Sequence, residues 1–105
     1  MKDCIFCKIS SGVFGTDFVY EDDLCVVFAD LHPKSKTHLL IVSRKHIPSI
    51  LDLKYADEEI VGQMVLCAKK VAEKLKLPGY KLQFNVGKEG GQEIFHIHLH
   101  LTSNY

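Results

Sequence analysis

Residues 93–101 read EIFHIHLHL and hold three of the six histidines of the chain. Histidine alternates there with a bulky apolar residue. A period of two is typical of a β-strand whose two faces differ in character. The pattern predicts a strand that buries its apolar face in the core and presents a row of imidazoles on the other. The imidazole face consists of His96, His98 and His100, and the apolar face of Phe95, Ile97, Leu99 and Leu101.

Four interpretations of this row compete: polar positions on a solvated strand, an affinity tag, one metal ion bound by all three imidazoles, and catalysis at phosphorus. The interleaved Ile97 and Leu99 exclude a tag. One shared metal is awkward because the outer two residues lie roughly 13 Å apart at the backbone, although a neighbouring pair with another ligand would be easier. In catalysis, one imidazole would attack phosphorus while a neighbouring one stabilises the negative charge on the phosphoryl oxygens. The preceding GKEGGQ favours catalysis, because glycines let backbone N–H groups approach an anion.

Three segments upstream of the row predict further strands. FVYEDDLCVVFAD predicts a hairpin of residues 18–20 and 24–29 around an acidic turn. The compact apolar run at 39–42 predicts a strand buried on both faces. YKLQFNVG alternates again and predicts a strand whose apolar face consists of Tyr80, Leu82, Phe84 and Val86.

Residues 57–77 change to a helical period and predict one amphipathic helix. Asp57 is the expected N-cap, and Pro78-Gly79 is expected to end the helix. Met64 and Cys67, like Cys25 in the hairpin, are expected in the core. Short strands with one main helix indicate an α+β fold with a mostly antiparallel sheet. The apolar stripe consists of Ile60, Met64, Cys67, Val71 and Leu75, flanked by Val61, Val65, Ala68 and Ala72.

The chain has 105 residues, 47% hydrophobic and 25% charged, with 13 acidic and 13 basic residues. This composition predicts a single globular domain over residues 1–105. The balanced charge gives no reason to expect nucleic acid or an anionic membrane as a partner. No apolar run approaches the ~20 residues that span a bilayer. The start, MKDCIFCKIS, lacks the apolar stretch of an export signal, so a cytoplasmic location is expected.

GGQ-EIF-HIHLHL resembles the signature of the histidine triad (HIT) family of nucleotide-binding proteins, and the GGQ form is most similar to its Hint branch, the purine nucleoside phosphoramidases. Further matches occur in the same order along nearly the whole chain: CIFCKI, FADLHP, KTHLLIV, RKHI and FNVG. The resemblance implies a five-stranded antiparallel sheet with one main helix at about 57–77 and a short helix near 47–53. It also implies a homodimer formed through the helix and an edge strand.

The resemblance implies roles for individual residues. His98, the middle histidine, would attack the α-phosphorus of AMP-X, a phosphoramidate or acyl-adenylate, and form a nucleotidyl-histidine intermediate that water hydrolyses. An ordinary imidazole is largely neutral near pH 7, so this step needs no extreme pKa shift. The other expected catalytic groups are His100, His38 and Gln92. The purine nucleotide or conjugate would be held by Asp30 at the ribose, by Asn85, Gln92, His98 and His100 around the phosphate, and by Phe6, Ile9, Phe28 and Leu31 at the base.

Cys4 and Cys7 have the spacing of half a tetrahedral zinc site. In a reducing compartment the four cysteines of the chain are thiols or metal ligands rather than disulfides. Some HIT relatives complete such a site with histidines, and this resemblance implies His46 and His96 as the remaining ligands of a structural zinc ion. The alternative is a pair of reduced buried thiols. A thioredoxin-like pair is disfavoured, since no βαβ pattern surrounds the motif.

Two features depart from the Hint pattern. Glu93 stands where Hint members commonly carry Ser or Thr, and a carboxylate there would repel a polyphosphate and favour a cationic amine leaving group. The chain also stops at LTSNY, whereas a tail shapes the leaving-group pocket across the Hint dimer. Three functions stay open. Hint-type cleavage through His98 is preferred over hydrolysis of dinucleoside polyphosphates by the same nucleophile and over a nucleotide-binding or partner-binding module without turnover.

Overall fold

The computed structural model of the protein describes residues 3–105, so the first two residues of the predicted domain lie outside it. Five antiparallel strands form one sheet in the order β1-β2-β3-β5-β4. The predicted α+β class, with a five-stranded antiparallel sheet and one main helix, is confirmed. The elements are α1 (Ile5–Ser10), β1 (Tyr20–Glu21), β2 (Cys25–Ala29), β3 (Thr37–Ser43), α2 (Glu58–Lys74), β4 (Lys81–Gln83) and β5 (His98–Ser103).

The central strand β3 separates two hydrophobic clusters. Its apolar run is buried on both faces, as predicted. Leu39 and Ile41 pack on the side of α2, and Leu40 and Val42 pack on the opposite side with Phe6 of α1. The cluster on the α2 side is the larger of the two.

The buried face of α2 follows the predicted stripe, except at Val61, which is only half-buried, and at two exposed positions. Val65 is 43% exposed and Leu75 is 41% exposed, so both lie outside the core. Met64 and Cys67 are buried there, as expected. The side chains of α2 that are buried are Ile60, Met64, Cys67, Ala68, Val71 and Ala72.

Both ends of α2 differ from the prediction in detail. Asp57 does occupy the N-cap position, but its carboxylate accepts hydrogen bonds from the Lys54 N–H and the Lys45 ammonium instead of from α2. The helix ends at Lys74, before Pro78-Gly79, because Lys76 adopts a left-handed φ of 57°. The Leu77 N–H then bonds back to the Ala72 carbonyl, which closes the helix end. The short helix expected near 47–53 is one 3-10 turn at Ile50–Asp52.

The histidine segment is a strand only in its second half. β5 begins at His98, and the prediction of a strand from residue 93 is wrong for 93–97. The Ile97 N–H bonds to the Ile47 carbonyl in a loop rather than to a sheet neighbour, so the ladder starts one residue later. Phe95, expected in the core, is 46% exposed. The alternation itself holds from Ile97 onward, where the apolar residues pack against the cluster of α2.

β4 is a short edge strand, paired with β5 alone. The strand predicted over 80–86 is confirmed only at 81–83, where all three residues are exposed. Tyr80 and Leu82 are exposed, and Phe84 contacts the core from outside the strand. Within residues 3–105, neither helix has the length and apolar character needed to cross a bilayer.

Candidate active site and metal-type cluster

A cavity of about 900 Å³ opens on the α1 side of the sheet. It is lined by residues from α1 and from β2, β3, β4 and β5. Phe6 and Phe28 are buried in its wall, whereas Leu31 is 88% exposed at its surface. The cavity brings together every residue predicted for catalysis or nucleotide binding: Phe6, Ile9, Phe28, Asp30, Leu31, His38, Asn85, Gln92, His98 and His100.

His98 presents an unprotonated ring nitrogen. Its Nδ1 lies 2.8 Å from the carbonyl oxygen of His96. A carbonyl only accepts, so Nδ1 carries the proton and Nε2 keeps its lone pair. The Phe6 ring packs edge-on against the imidazole, with 4.9 Å between ring centroids. Burial lowers the pKa of His98 below its ordinary 6.5, against the opposing effects of the His96 carbonyl and Asp30. His98 therefore has the protonation state that a nucleophile needs.

His38 and His100 form a hydrogen-bonded pair with a fixed direction. The Lys34 backbone N–H donates to His38 Nδ1 over 3.1 Å, so the proton of His38 sits on Nε2. That Nε2 lies 3.0 Å from His100 Nδ1 and 3.4 Å from the Asp30 carboxylate. His100 Nδ1 is then an acceptor, and its own proton is on Nε2. Burial, with the neighbouring His98 and His38, lowers the pKa of His100 to about 4.

Asp30 and Asn85 line the cavity but already make bonds within the chain. One Asp30 oxygen accepts the His32 N–H over 2.9 Å, and the other faces His38. The Asn85 amide donates to the Gly90 carbonyl over 2.9 Å. Each side chain keeps capacity for another partner, since a carboxylate oxygen has two lone pairs and an amide has two N–H groups and an acceptor.

Gln92 is buried and fully engaged. Its Nε2 donates to the Pro48 carbonyl over 2.7 Å and to the Ile94 carbonyl over 3.0 Å. Its Oε1 accepts the Gly87 N–H over 3.0 Å. Both amide protons are used, so a direct bond from Gln92 to a phosphate requires one of these bonds to break. The geometry gives Gln92 a role in holding the loop that precedes β5.

Cys4, Cys7, His46 and His96 form a second cluster, the metal-type cluster, and none of the four lines the cavity. Cys4 Sγ lies 3.2 Å from His96 Nδ1, and Cys7 Sγ lies 3.3 Å from His46 Nδ1. The two Nδ1 atoms are 3.2 Å apart. Four ligands around a tetrahedral ion stand about 3.3–3.8 Å apart, given Zn–N and Zn–S bond lengths. These four residues are therefore a group that could hold a metal ion.

The protonation of His96 fits a metal ligand. Its Nε2 lies 2.6 Å from the Ser43 carbonyl, so it carries the proton and directs the Nδ1 lone pair at the two thiols. Burial lowers the pKa of His96 to about 4, which keeps the ring neutral. Burial and the Cys4 thiol raise the pKa of Cys7, and a bound cation would act in the opposite direction.

Asp30, His38 and His100 also bring three possible metal ligands together, but they do not fit a cation. The Lys34 N–H fixes the proton of His38 on Nε2, which is the nitrogen that faces the other two. A protonated nitrogen offers no lone pair to a metal. This group is a hydrogen-bond relay instead.

Cys25 and Cys67 are core residues, as expected. The Cys67 thiol donates to the Asp22 carboxylate over 3.1 Å. Burial and that carboxylate raise the pKa of Cys67 to about 11, and burial with Cys67 raises the pKa of Cys25 as well. Both thiols are protonated at neutral pH and are poor nucleophiles or ligands in that form.

Two backbone groups that set the protonation of the histidines were not predicted from the sequence. The Ser43 carbonyl and the Lys34 N–H decide which nitrogen of His96 and of His38 carries the proton. Both belong to the backbone, so their residue types carry no signal for the role. Lys34 precedes β3 and Ser43 is its last residue, and only these positions could have suggested the role.

A family model described as "Scavenger mRNA decapping enzyme C-term binding" matches residues 3–105. The purine nucleoside phosphoramidase of Escherichia coli K12 is 39% identical over 102 residues, which are 95% of this chain and 86% of that protein. Protein HitA of Neisseria gonorrhoeae is 37% identical over 96% of this chain and 95% of its own length. A solved HIT family hydrolase of Legionella pneumophila has a TM-score of 0.92 at 43% identity, covering 98% of this chain and 94% of its own.

A histidine triad protein from Clostridium difficile has a TM-score of 0.93 at 36% identity, over 97% of this chain and 90% of its own. These matches cover nearly the full length of both partners. They confirm the family expected from the histidine row and the glycine-rich turn before it. The chain therefore belongs to the histidine triad (HIT) family and is a HIT-type hydrolase.

Proposed function

We propose that the chain, as one domain over residues 1–105, cleaves the bond between the α-phosphate and the leaving group of a purine nucleotide conjugate AMP-X, with a phosphoramidate as the preferred class. One observation carries the proposal: His98 holds an unprotonated Nε2 in the cavity wall while its Nδ1–H is anchored on a carbonyl. The similarity to a protein named purine nucleoside phosphoramidase supports the substrate class.

The reaction proceeds in two displacements. The Nε2 lone pair of His98 forms a bond to phosphorus, the P–N bond of the substrate breaks, and the leaving nitrogen takes up a proton from solvent. The phosphorylated imidazole is cationic, and the His96 carbonyl at its Nδ1–H stabilises that charge. Water then attacks phosphorus and gives a proton to solvent, the bond between phosphorus and His98 Nε2 breaks, and AMP is released while the lone pair returns to His98. His100, with its proton on Nε2, donates to the phosphoryl oxygens.

The remaining cavity residues hold the nucleotide. Asp30 accepts hydrogen bonds from the ribose hydroxyls with its spare lone pairs, and Asn85 contributes an amide near the phosphate. The base lies against the apolar wall, which consists of Phe6, Ile9, Phe28 and Leu31. Gln92 acts by fixing the loop, since its amide is engaged.

A single-turnover experiment tests the nucleophile. Wild-type protein is mixed with a stoichiometric AMP-amine, quenched in base and analysed by intact mass. We expect a transient adduct of one AMP per chain in the wild type and none in His98→Ala. Equal turnover by the two proteins contradicts the catalytic proposal. AMP binding without any turnover by the wild type would favour a nucleotide-binding module.

The metal-type cluster is proposed to hold one structural zinc ion. Two thiolates and two neutral imidazoles are a common donor set for tetrahedral zinc, and the spacing of the four donor atoms supports it. Zinc there would tie α1 to the loop after β3 and to the segment before β5. The thiols must stay reduced, which agrees with a cytoplasmic location. Less than a few tenths of a zinc per untagged chain would contradict this assignment.

We also propose a homodimer through α2 and β4. β4 is a sheet edge with exposed Tyr80 and Leu82. α2 exposes Val65 and Leu66, and Leu75 is exposed just after its end. An unpaired sheet edge and exposed apolar side chains on the helix suit pairing with a second copy. Light scattering during gel filtration measures the mass: we expect a dimer, and a shift towards monomer for Leu66→Glu. A monomeric wild type contradicts the proposal.

A further inference from the structure

The cavity continues beyond the histidine pair, to the end of β5 and the start of β4. Thr102 of β5 and Lys81 of β4 both line this part of it. The sheet register pairs Lys81 with Thr102, and Thr102 with His38 of β3. Residues that pair directly across strands lie on the same face of a sheet. These three residues therefore form one row across the cavity floor.

This row lies one strand period away from His100. Two residues of a strand span about 6.7 Å, which is the backbone separation expected between His100 and Thr102. A group held at Thr102 is then at a similar distance from the phosphate that His98 and His100 are proposed to hold. Adjacent strands lie about 4.8 Å apart, so the long side chain of Lys81 reaches the same group.

The polar groups around Thr102 have no partner within the described chain. Among residues 3–105, no side-chain hydrogen bond or ion pair engages the Thr102 hydroxyl or the ammonium groups of Lys34 and Lys81. Lys34 lines the cavity from the loop before β3. Burial is the largest effect that lowers the pKa of His100, and the Lys34 charge adds to it, so this ammonium acts inside the cavity.

The acidic side chains of the cavity lie away from Lys81. Glu93 precedes β5, so it is at the opposite end of that strand from Thr102. Asp30 follows β2, on the far side of β3, and its carboxylate faces His38. Two ammonium groups and a hydroxyl with no carboxylate beside them attract an anion.

We infer that Thr102, Lys81 and Lys34 form a subsite for a second anionic group, a carboxylate or a phosphate at the far end of the leaving group. The inference rests on the proposed function and names its substrate class. The nucleoside is placed against Asp30 and the apolar wall on the β2 side, so a leaving group directed towards β4 meets this subsite. The hydroxyl donates to the anion, and the ammonium groups balance its charge. The P–N bond breaks as described above, and the amine leaves with its anionic end intact.

Adenosine phosphoramidates with matched leaving amines test the subsite. 4-Aminobutyrate carries a carboxylate, 4-aminobutanamide replaces it with a neutral amide of the same shape, and 3-aminopropylphosphonate carries a phosphorus oxyanion. For each compound, kcat/KM is measured from AMP release and divided by the value for the neutral amide. In the wild type we expect a ratio of roughly three to ten for an anion, the size of two exposed charge pairs. A preference for one of the two anions identifies the chemistry that the subsite takes.

The position of the subsite is tested by a shorter leaving group. Glycine and glycinamide form a second matched pair, but the glycine carboxylate stays beside phosphorus and does not reach Thr102. The ratio of kcat/KM for this pair should be close to one. A ratio as large as that of the longer pair would place the effect elsewhere in the cavity and overturn the inference.

Substitutions identify the groups that bind the anion. Lys81→Gln and Thr102→Val should each lower the anion-to-neutral ratio, and Lys34→Gln/Lys81→Gln should bring it to about one. Lys34→Gln keeps the backbone N–H that bonds to His38. Lys36→Gln is the matched control and should retain the wild-type ratio, because Lys36 lies in the same loop, is exposed and does not line the cavity. A wild type without an anion preference, or a preference that survives the double variant, overturns the inference.

Equilibrium binding separates this inference from the proposed reaction. Calorimetry with the 4-aminobutyrate and 4-aminobutanamide conjugates is performed on His98→Asn and on His98→Asn/Lys81→Gln, where turnover is absent. The carboxylate should bind more tightly than the amide in the first protein, and this difference should shrink in the second and at high salt. Turnover without an anion preference in rate or affinity overturns the subsite alone. An anion preference in the affinity of a wild type that never cleaves supports the subsite and contradicts the hydrolytic mechanism.

Discussion

The metal-type cluster and the hydrogen-bond relay of Asp30, His38 and His100 use histidine for opposite purposes. In the first, the Ser43 carbonyl takes the Nε2 proton of His96, and the free Nδ1 faces two thiols. In the second, the Lys34 N–H occupies Nδ1 of His38, and the protonated Nε2 faces His100. A backbone acceptor in one place and a backbone donor in the other thus decide whether an imidazole offers a lone pair or a proton.

The largest expected effect separates the nucleophile from the metal-type cluster. His98→Ala should lower kcat/KM on an AMP-amine by at least about 10³-fold, since it removes the nitrogen that forms the bond to phosphorus. Its metal content should equal that of the wild type. The control is His32→Ala, whose imidazole belongs to neither cluster and whose activity should fall by less than about ten-fold. Loss of metal from His98→Ala would show that the two regions are not distinct. Activity and metal analysis on the same preparations provide the measurement.

Cys7→Ser should act on the other region. It removes one thiolate from the cluster, so bound zinc should be lost and the free energy of unfolding should fall by about 3 kcal/mol, the stabilisation from a ligand present at a hundred times its Kd or more. In a domain of this size that lowers Tm by roughly 10 °C or more. Chelator should lower Tm in the wild type and in Cys25→Ala, a core variant, but not in Cys7→Ser. An equal chelator response in all three proteins contradicts a metal at these ligands.

His38→Ala should weaken catalysis without touching the metal. It removes the donor that fixes His100 Nδ1 as an acceptor, so the proton of His100 is no longer held on Nε2. We expect kcat/KM to fall by about 10- to 100-fold, the range of one positioned proton donor. Nitrogen chemical shifts of His100 report the tautomer directly. A single Nε2–H form that persists in His38→Ala would assign the tautomer to another cause.

The smallest effect concerns pH. Burial lowers the pKa of His98 below 6.5 and that of His100 to about 4, so both rings stay neutral as the pH falls through 6.5. The acid limb of kcat/KM reports the free enzyme and should lie below 6.5. Between pH 7.5 and 6.0 we expect a smaller loss than an ordinary imidazole would give. An ordinary imidazole would retain about a quarter of its neutral form at pH 6.0, and a loss of that size would contradict the depressed pKa.

Stability should respond to pH with a defined sign. His100 binds a proton less readily in the folded chain than in the unfolded one, because its folded pKa is about 4 against an ordinary 6.5. Between these values the unfolded state takes up the proton first, so the free energy of unfolding falls as the pH is lowered from 6.5 towards 4. Urea unfolding at several pH values measures this slope, and His100→Asn should reduce it.

The strongly periodic parts of the fold were predictable from the sequence. The apolar run in β3 and the stripe of α2 each have one physical solution, because their side chains must be buried. The extent of β5 was not predictable. The pattern of residues 93–97 continues a strand, but a hydrogen bond from Ile97 to a loop carbonyl interrupts it. Similarly, residues 80–86 alternate as a strand, yet β4 lies at an edge where only three residues pair.

For the site, residue types were predictable and their protonation was not. The spacing of the histidines and cysteines and the family resemblance identified these imidazoles and thiols, and the structure places them in two clusters. The split between those clusters depends on where a carbonyl or an N–H falls on β3 and on the loop before it. Gln92 shows the same limit. The resemblance predicted a contact from its amide to phosphate, whereas in the structure that amide makes hydrogen bonds to three backbone groups.

His96 belongs to both regions. Its ring completes the metal-type cluster, and its carbonyl holds the Nδ1–H of His98. A shift of this one residue therefore moves a ligand and the support of the nucleophile together. We therefore expect zinc binding and substrate binding to be coupled through His96, with a coupling free energy that is equal in both directions. The peptide group that follows His96 thus connects the two sites, and adjacent histidines of the row act together rather than redundantly.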